Sequence, residues 1–219
     1  EIEQLAVSPD GLLVASAVAE GPVEFWDAST GGHLRTVLDR LASQRVASLT
    51  WSHDGEVLAV ARTYDIEGRV DIVNRAGDQV SDFYEGAFWG IGSVSFSPDD
   101  RLLVTTRIPT LENLPRQGLR VWDWERGETV TTIEAPAVQA AFDPQSGRIA
   151  ARLEQQGTVG VWDAESGEQV ATLPGPAVVN ALAYGGDGSR VATAGVDGVV
   201  RLWDPETGEV EQSISTDDG

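Results

Sequence analysis

The sequence predicts an all-β chain made of five copies of one four-stranded antiparallel unit. Three observations carry that prediction. A Trp-Asp pair recurs at Trp26-Asp27, Trp122-Asp123, Trp162-Asp163 and Trp203-Asp204, with Val73-Asn74 in the slot of a degenerate copy, at a period of about 40 to 50 residues. A turn of Ser-Pro-Asp-Gly type keeps step with it at 8–11, 52–55, 97–100, 143–146 and 185–188. Between these markers lie short runs rich in Val, Leu, Ile, Ala and Thr, with the length and composition of strands rather than helices.

Each unit reads as strands a to d in turn. Strand a ends just before the first turn on Val7, Trp51, Phe96, Phe142 or Tyr184, one column expected to be buried. Strand b follows that turn, and strand c ends on Trp-Asp. A second turn, carrying a glycine such as Gly31, Gly127 or Gly208, leads into strand d. In the last copy the four strands are predicted at 179–184, 190–194, 199–203 and 210–214, and the units at 1–41, 42–87, 88–134, 135–174 and 175–219.

This pattern resembles the WD40-repeat family of β-propellers over essentially the whole chain. The stretch Thr193-Ala194-Gly195-Val196-Asp197-Gly198 followed by Arg201-Leu202-Trp203-Asp204 carries the likeness most clearly. The resemblance implies radially arranged blades with strand a innermost. It also implies the family's hydrogen-bonded set of His, Ser or Thr, Asp and Trp, of which Thr193, Asp197 and Trp203 keep three members. No copy has the family's His before strand a, and Arg152 is aligned with the hydroxyl position of the fourth copy, so apolar packing is expected to hold the blades. Family rings usually have seven blades, and close by lending the first strand to the last blade. This chain supplies five and opens on strand a, so an arc of a larger propeller is expected rather than a closed five-bladed ring. Its end blades would then be open to self-association.

Composition narrows the function. Fifteen basic residues, all of them Arg, stand against 35 acidic ones for a formal charge of -20, which repels nucleic acid and anionic lipid over most of the surface. A basic set without Lys fits a GC-rich, bacterial coding sequence. The absence of cysteine excludes disulfides and thiolate metal sites, and two histidines are too few for a multi-histidine metal site. The longest nearly apolar run, 12–19, falls well short of the roughly 20 residues of a membrane-spanning helix. No cofactor, metal, nucleic-acid or membrane partner is expected.

Catalysis has little to stand on. His53 lies between Ser52 and Asp54, but neighbours in one tight turn cannot form a relay of three side chains. His33 sits in a glycine turn, and Gly90-Ile91-Gly92 lacks the third glycine of a dinucleotide-binding loop. The chain is not expected to be an enzyme; the alternative is a propeller that binds a small molecule, or acts on one, at its central channel.

The loops that break the repeat are more informative. In a propeller the a-b and c-d turns open on one face, here called the bottom, and the b-c and d-a loops on the other, the top. The bottom turns are short and acidic, as expected of a solvated face that keeps the domain apart from others. On top, the b-c loops of units two and three, 62–69 and 107–118, and the d-a segment between them, 85–92, are long. They carry Phe88 and Trp89, the arginines Arg62, Arg69, Arg107 and Arg116, and Leu111 and Leu114. Trp, Tyr and Arg on loops of a rigid scaffold are the usual interface anchors. These residues are the expected binding site for a protein or peptide, of acidic or phosphorylated chemistry. Phe83 and Tyr84 just upstream could either pack between blades or join them. The resemblance suggests the WD40 tails of bacterial signalling ATPases and Ser/Thr kinases, where a propeller senses a ligand or docks a partner.

Overall fold

The computed structural model describes residues 2–18, 21–39, 44–64, 67–87, 89–109, 118–153, 157–175 and 178–215. Every regular element among them is a strand. The first unit is β1 (Ile2–Val7), β2 (Leu13–Val18), β3 (Val23–Asp27) and β4 (His33–Leu38). The second is β5 (Gln44–Trp51), β6 (Val57–Tyr64), β7 (Glu67–Asn74) and β8 (Gln79–Ala87). The third is β9 (Trp89–Phe96), β10 (Leu102–Pro109), β11 (Leu119–Asp123) and β12 (Glu128–Ile133). The fourth is β13 (Ala137–Phe142), β14 (Arg148–Leu153), β15 (Thr158–Asp163) and β16 (Gln169–Pro174). The fifth is β17 (Val179–Tyr184), β18 (Val191–Gly195), β19 (Val199–Trp203) and β20 (Val210–Ser215), within a residue of the predicted ends.

Strands a to d pair antiparallel in chain order within each unit. The second and third units merge into one eight-stranded sheet, through a single parallel bridge between Glu67 and Trp89. Apolar side chains on the facing sheets drive the stacking of units, since burying them is the main favourable term available. Four buried clusters result, one between each successive pair. Between the first two units Phe25 meets Trp51 with ring centroids 5.2 Å apart; between the next two Phe83 meets Trp122 at 4.5 Å. The a strands touch one another around a common axis. Serine hydroxyls stitch β9 to β13, which belong to different sheets: Ser93 Oγ accepts the Ala140 N–H at 3.0 Å and Ser95 Oγ the Phe142 N–H at 3.3 Å.

Contacts run between successive units, and among the described residues no substantial strand contact joins β1–β4 to β17–β20. The sheets form an arc of WD40-like propeller blades, not a closed five-bladed ring. The aromatic column before the first turn is buried at Trp51, Phe96 and Phe142 and partly buried at Tyr184, whereas Val7 is exposed because no unit packs on that side of β1.

The internal hydrogen-bonded set is only partly as expected. Trp203 Nε1 donates to Thr193 Oγ1 at 2.8 Å, and Trp26 Nε1 to Ser16 Oγ at 2.8 Å. Asp197 does not join them; it accepts from Arg201 at 2.7 Å. Strand register also moves one assignment by a residue. Ala151, opposite Ala140, occupies the hydroxyl slot of the fourth unit, and Arg152 reaches across to donate to the Val179 carbonyl of the fifth at 2.9 Å.

Candidate partner-binding surface

The bottom turns are built alike. In the first, Asp10 accepts from the Ser8 hydroxyl at 2.6 Å and the Leu12 N–H at 3.0 Å, and Gly11 takes the left-handed conformation at φ 71° that lets the chain turn back. Those bonds favour the ionised carboxylate and hold Asp10 down to about 2. The c-d turn at Asp27 repeats the device with Ser29 and Thr30, again to about 2. In the third unit Asp100 stands in the glycine position at φ 56°, and its carboxylate accepts the backbone N–H groups of His53 and Asp54 from the neighbouring turn. His53 is thus a bridge between turns, and His33 sits edge-on to Trp26 with centroids 5.0 Å apart.

The top face over units two and three is built differently. β6 and β7 stay paired through Arg62–Arg69, Thr63–Gly68 and Tyr64–Glu67, so most of the expected 62–69 loop is a two-stranded ribbon. β10 likewise carries Arg107 out to Pro109, and β8 and β9 take up most of 85–92. The strands continue because their polar side chains find partners across them. Arg62 grips the fully buried Asp71 through Nε and through a 2.9 Å bond from its second nitrogen. Arg69 Nε reaches the same carboxylate at 3.0 Å, and its terminal nitrogens reach Asp82 at 3.0 Å and the Tyr84 hydroxyl at 3.0 Å. Tyr64, Glu67 and Tyr84 close a shallow hollow of about 100 Å³ with these two arginines.

A second network lies one residue along β8. Glu85 is buried, and it accepts from the Thr105 hydroxyl and from Trp122 Nε1, which also lies 3.0 Å from Thr105 Oγ1. Glu85 lies in strand d of the second unit, just before strand a of the third, and its bonds to Thr105 and Trp122 give it the place in the third unit's hydrogen-bonded set that the resemblance assigns to the missing His. Arg107 and Arg120 each approach the carboxylate at 3.3 Å. Burial pushes the Glu85 carboxyl upward, against the opposing pull of Thr105, Arg120, Arg107 and Trp122. Burial and the nearby Arg120 charge push Arg107 downward. The Arg107 guanidinium lies over the Trp89 ring, its Cζ 4.5 Å from the centroid. Gly68 makes the close approach of β9 to β7 possible, since a Cβ there would stand 2.6 Å from the Trp89 carbonyl oxygen.

The structure therefore brings Arg62, Arg69, Arg107 and Trp89 together but does not expose them equally. Arg62 and Arg107 are buried, with side chains 9% and 5% exposed, because carboxylates inside the blades claim them. Trp89 and Arg69 are half-buried, and Tyr64 and Tyr84 are exposed. Phe83 packs between blades against Trp122, and Tyr84 faces out. Phe88, Arg116, Leu111 and Leu114 lie outside the described residues. Sequence reasoning missed Asp71, Asp82 and Glu85 as organisers; the available signal was a lone Asp inside the apolar run Val70-Asp71-Ile72-Val73, where only a buried partner would make it tolerable.

The family model described as WD domain, G-beta repeat, matches residues 167–204, which span the c-d turn of the fourth unit to the Trp-Asp of the fifth. A search of curated proteins finds no match.

Proposed function

We propose that this array of WD40-like β-propeller blades is a non-catalytic scaffold, which binds a protein or peptide across the top face of units two and three as the sensor or docking part of a larger protein. Repeats of this kind generally mediate protein-protein interaction. The observation that carries the reading is the asymmetry of the two faces: among the described residues, lengthened strands lift Trp89, Tyr64 and Tyr84 on a rigid, charge-clamped base at this place. In this reading Trp89 is the central anchor, with Phe88, Leu111 and Leu114 adding apolar area. Arg69 and Arg116 meet the partner, and Arg62 and Arg107 hold the surface from behind. A guanidinium pairs bidentately with carboxylate or phosphate, which selects an acidic or phosphorylated partner. The overall charge of -20 slows that partner's approach at low salt.

The test is a pull-down from the source cell with Trp89→Ala and Arg116→Ala beside a bottom-face control, Glu165→Ala. Loss of a central aromatic anchor costs about 2 kcal/mol of binding, roughly thirtyfold in affinity. Captured partners should disappear with the first two variants and persist with the control; loss with the control alone puts the site on the opposite face.

A further inference from the structure

The residue that follows Trp-Asp, or its counterpart, differs from unit to unit, and in two units it reaches into the joint with the blade before. In the second unit it is Arg75, whose Nη1 donates to the Gly55 carbonyl at 3.1 Å and Nη2 to the Asp10 carboxylate of the first unit at 2.7 Å. In the third it is Trp124, whose Nε1 donates to the Asp100 carbonyl at 2.6 Å and whose ring meets Phe96 edge-on, centroids 6.1 Å apart. Gly55 and Asp100 hold the same place, the fourth of their a-b turns. Two joints are thus occupied by one large side chain that gives an N–H to that carbonyl.

In the fourth unit the residue is Ala164, which has no such donor, and a slot of about 430 Å³ opens between the third and fourth units. Its walls repeat the groups that Arg75 and Trp124 meet. Ser146 stands fourth in its turn, Phe142 answers to Phe96, and Asp99 answers to Asp10. Asp10 spends Oδ1 on its own turn and Oδ2 on Arg75. Asp99 likewise spends Oδ1 on the Ser97 hydroxyl and the Arg101 N–H, while its Oδ2 has the solvent-facing Arg101 at a loose 3.8 Å. Asp163 and Glu165 also line the slot, so among the described residues three carboxylates face one guanidinium there. The joint between the fourth and fifth units offers no equal, because Gln145 replaces the carboxylate and Arg148 already pairs with Glu206 at 3.0 Å.

We propose that this slot takes an arginine side chain from a basic peptide segment, which completes the joint as Arg75 completes the first. The guanidinium donates to the Ser146 carbonyl and the Asp99 carboxylate and lies against Phe142. Its fork of donors reaches both acceptors at once, whereas a lysine brings a point charge to one. The charge of -20 draws such a segment in. One side chain gives an affinity of about 1 mM, so the slot is a supplementary contact that a pull-down does not retain. It does not rest on the top-face reading, and the acidic partner of that face does not enter it.

Nitrogen-15 NMR of the whole chain, titrated with Nα-acetyl-arginine amide, tests it. Shifts should be confined to Ser97 to Leu102, Gln145 to Gly147 and Ala164, with the lysine amide about tenfold weaker and the citrulline amide silent. Ala164→Trp gives the fourth unit the side chain that the third already carries, so it should keep the circular dichroism of the parent and abolish the shifts. Asp99→Asn, on an exposed turn, should weaken binding about tenfold, and it decides the matter if the tryptophan variant misfolds. The proposal is overturned by an absence of shifts, by shifts that survive Ala164→Trp, by lysine binding as tight as arginine, or by a response spread over all the bottom turns. Free arginine sets its own carboxylate against an acidic rim and should bind more weakly than the amide; tighter binding would overturn the assignment to a peptide. Trp89→Ala should leave the titration unchanged while abolishing partner capture, which separates the slot from the top-face reading.

Discussion

The bottom face and the top face of the second and third blades use the same residue types for opposite ends. At the bottom, carboxylates such as Asp10, Asp27 and Asp163 are solvated, accept local backbone and hydroxyl groups, and close short turns that repeat from unit to unit. On top, Asp71 and Glu85 are buried, and they take their bonds from arginines and hydroxyls on other strands. Local bonds define a turn that any blade can use. Long-range buried pairs define one place on the molecule, which is what a binding surface needs.

The contrast is sharpest in what removal costs. Asp71→Ala strands the Arg62 guanidinium inside the sheet, and breaking a buried pair from one side costs about 3 to 5 kcal/mol. Chemical denaturation should show that loss, and a loss below about 1 kcal/mol would mean that Arg62 escapes to solvent. Glu85→Gln keeps the shape but removes the charge that Arg107 and Arg120 face. The expected loss is about 2 to 3 kcal/mol, with a changed Trp122 environment in near-ultraviolet circular dichroism. Thr193→Val in the fifth unit removes the one acceptor of Trp203 Nε1, for about 1 kcal/mol.

The smallest effect is the pH dependence, and its sign differs between the faces. Asp10 and Asp27 are held at about 2 against the usual 3.8, so their stabilisation is complete above 3.8 and is lost as pH falls toward 2. Glu85 is shifted upward by burial, so the folded chain holds its proton more readily than the unfolded one, and its contribution weakens as pH rises through the folded value. Replacing both aspartates by Asn should make the acid limb of a stability profile below pH 3.8 shallower, with the lowered Asp99, Asp163, Asp187, Asp197 and Asp204 supplying the rest, and Glu85→Gln should leave that limb alone.

Much of the fold was legible because its signals are local. Trp203-Asp204, the turn at 185–188 and the glycine at 208 stand at fixed offsets, and β17 to β20 follow from them. The register of strand b was less legible: Ala151 and Arg152 differ by one position, and only the pairing of Ala151 with Ala140 decides which faces Trp162. At the candidate site, the cluster of Arg62, Arg69, Arg107 and Trp89 could be placed on one face from repeat offsets alone. Which of them are exposed could not, because Arg62 meets Asp71 across a hairpin, and Arg107 meets Glu85 across two blades. An arginine in a long segment reads as a surface charge until its carboxylate is located.

The claim that the top face of these two blades is the binding face is tested most directly by hydrogen exchange on the chain with its captured partner. The account predicts slowed exchange at Tyr64, Glu67 to Arg69 and Tyr84 to Trp89, with the turns at 97–100 and 163–167 unchanged. Slowed exchange at those turns, with the top face unaltered, would contradict it.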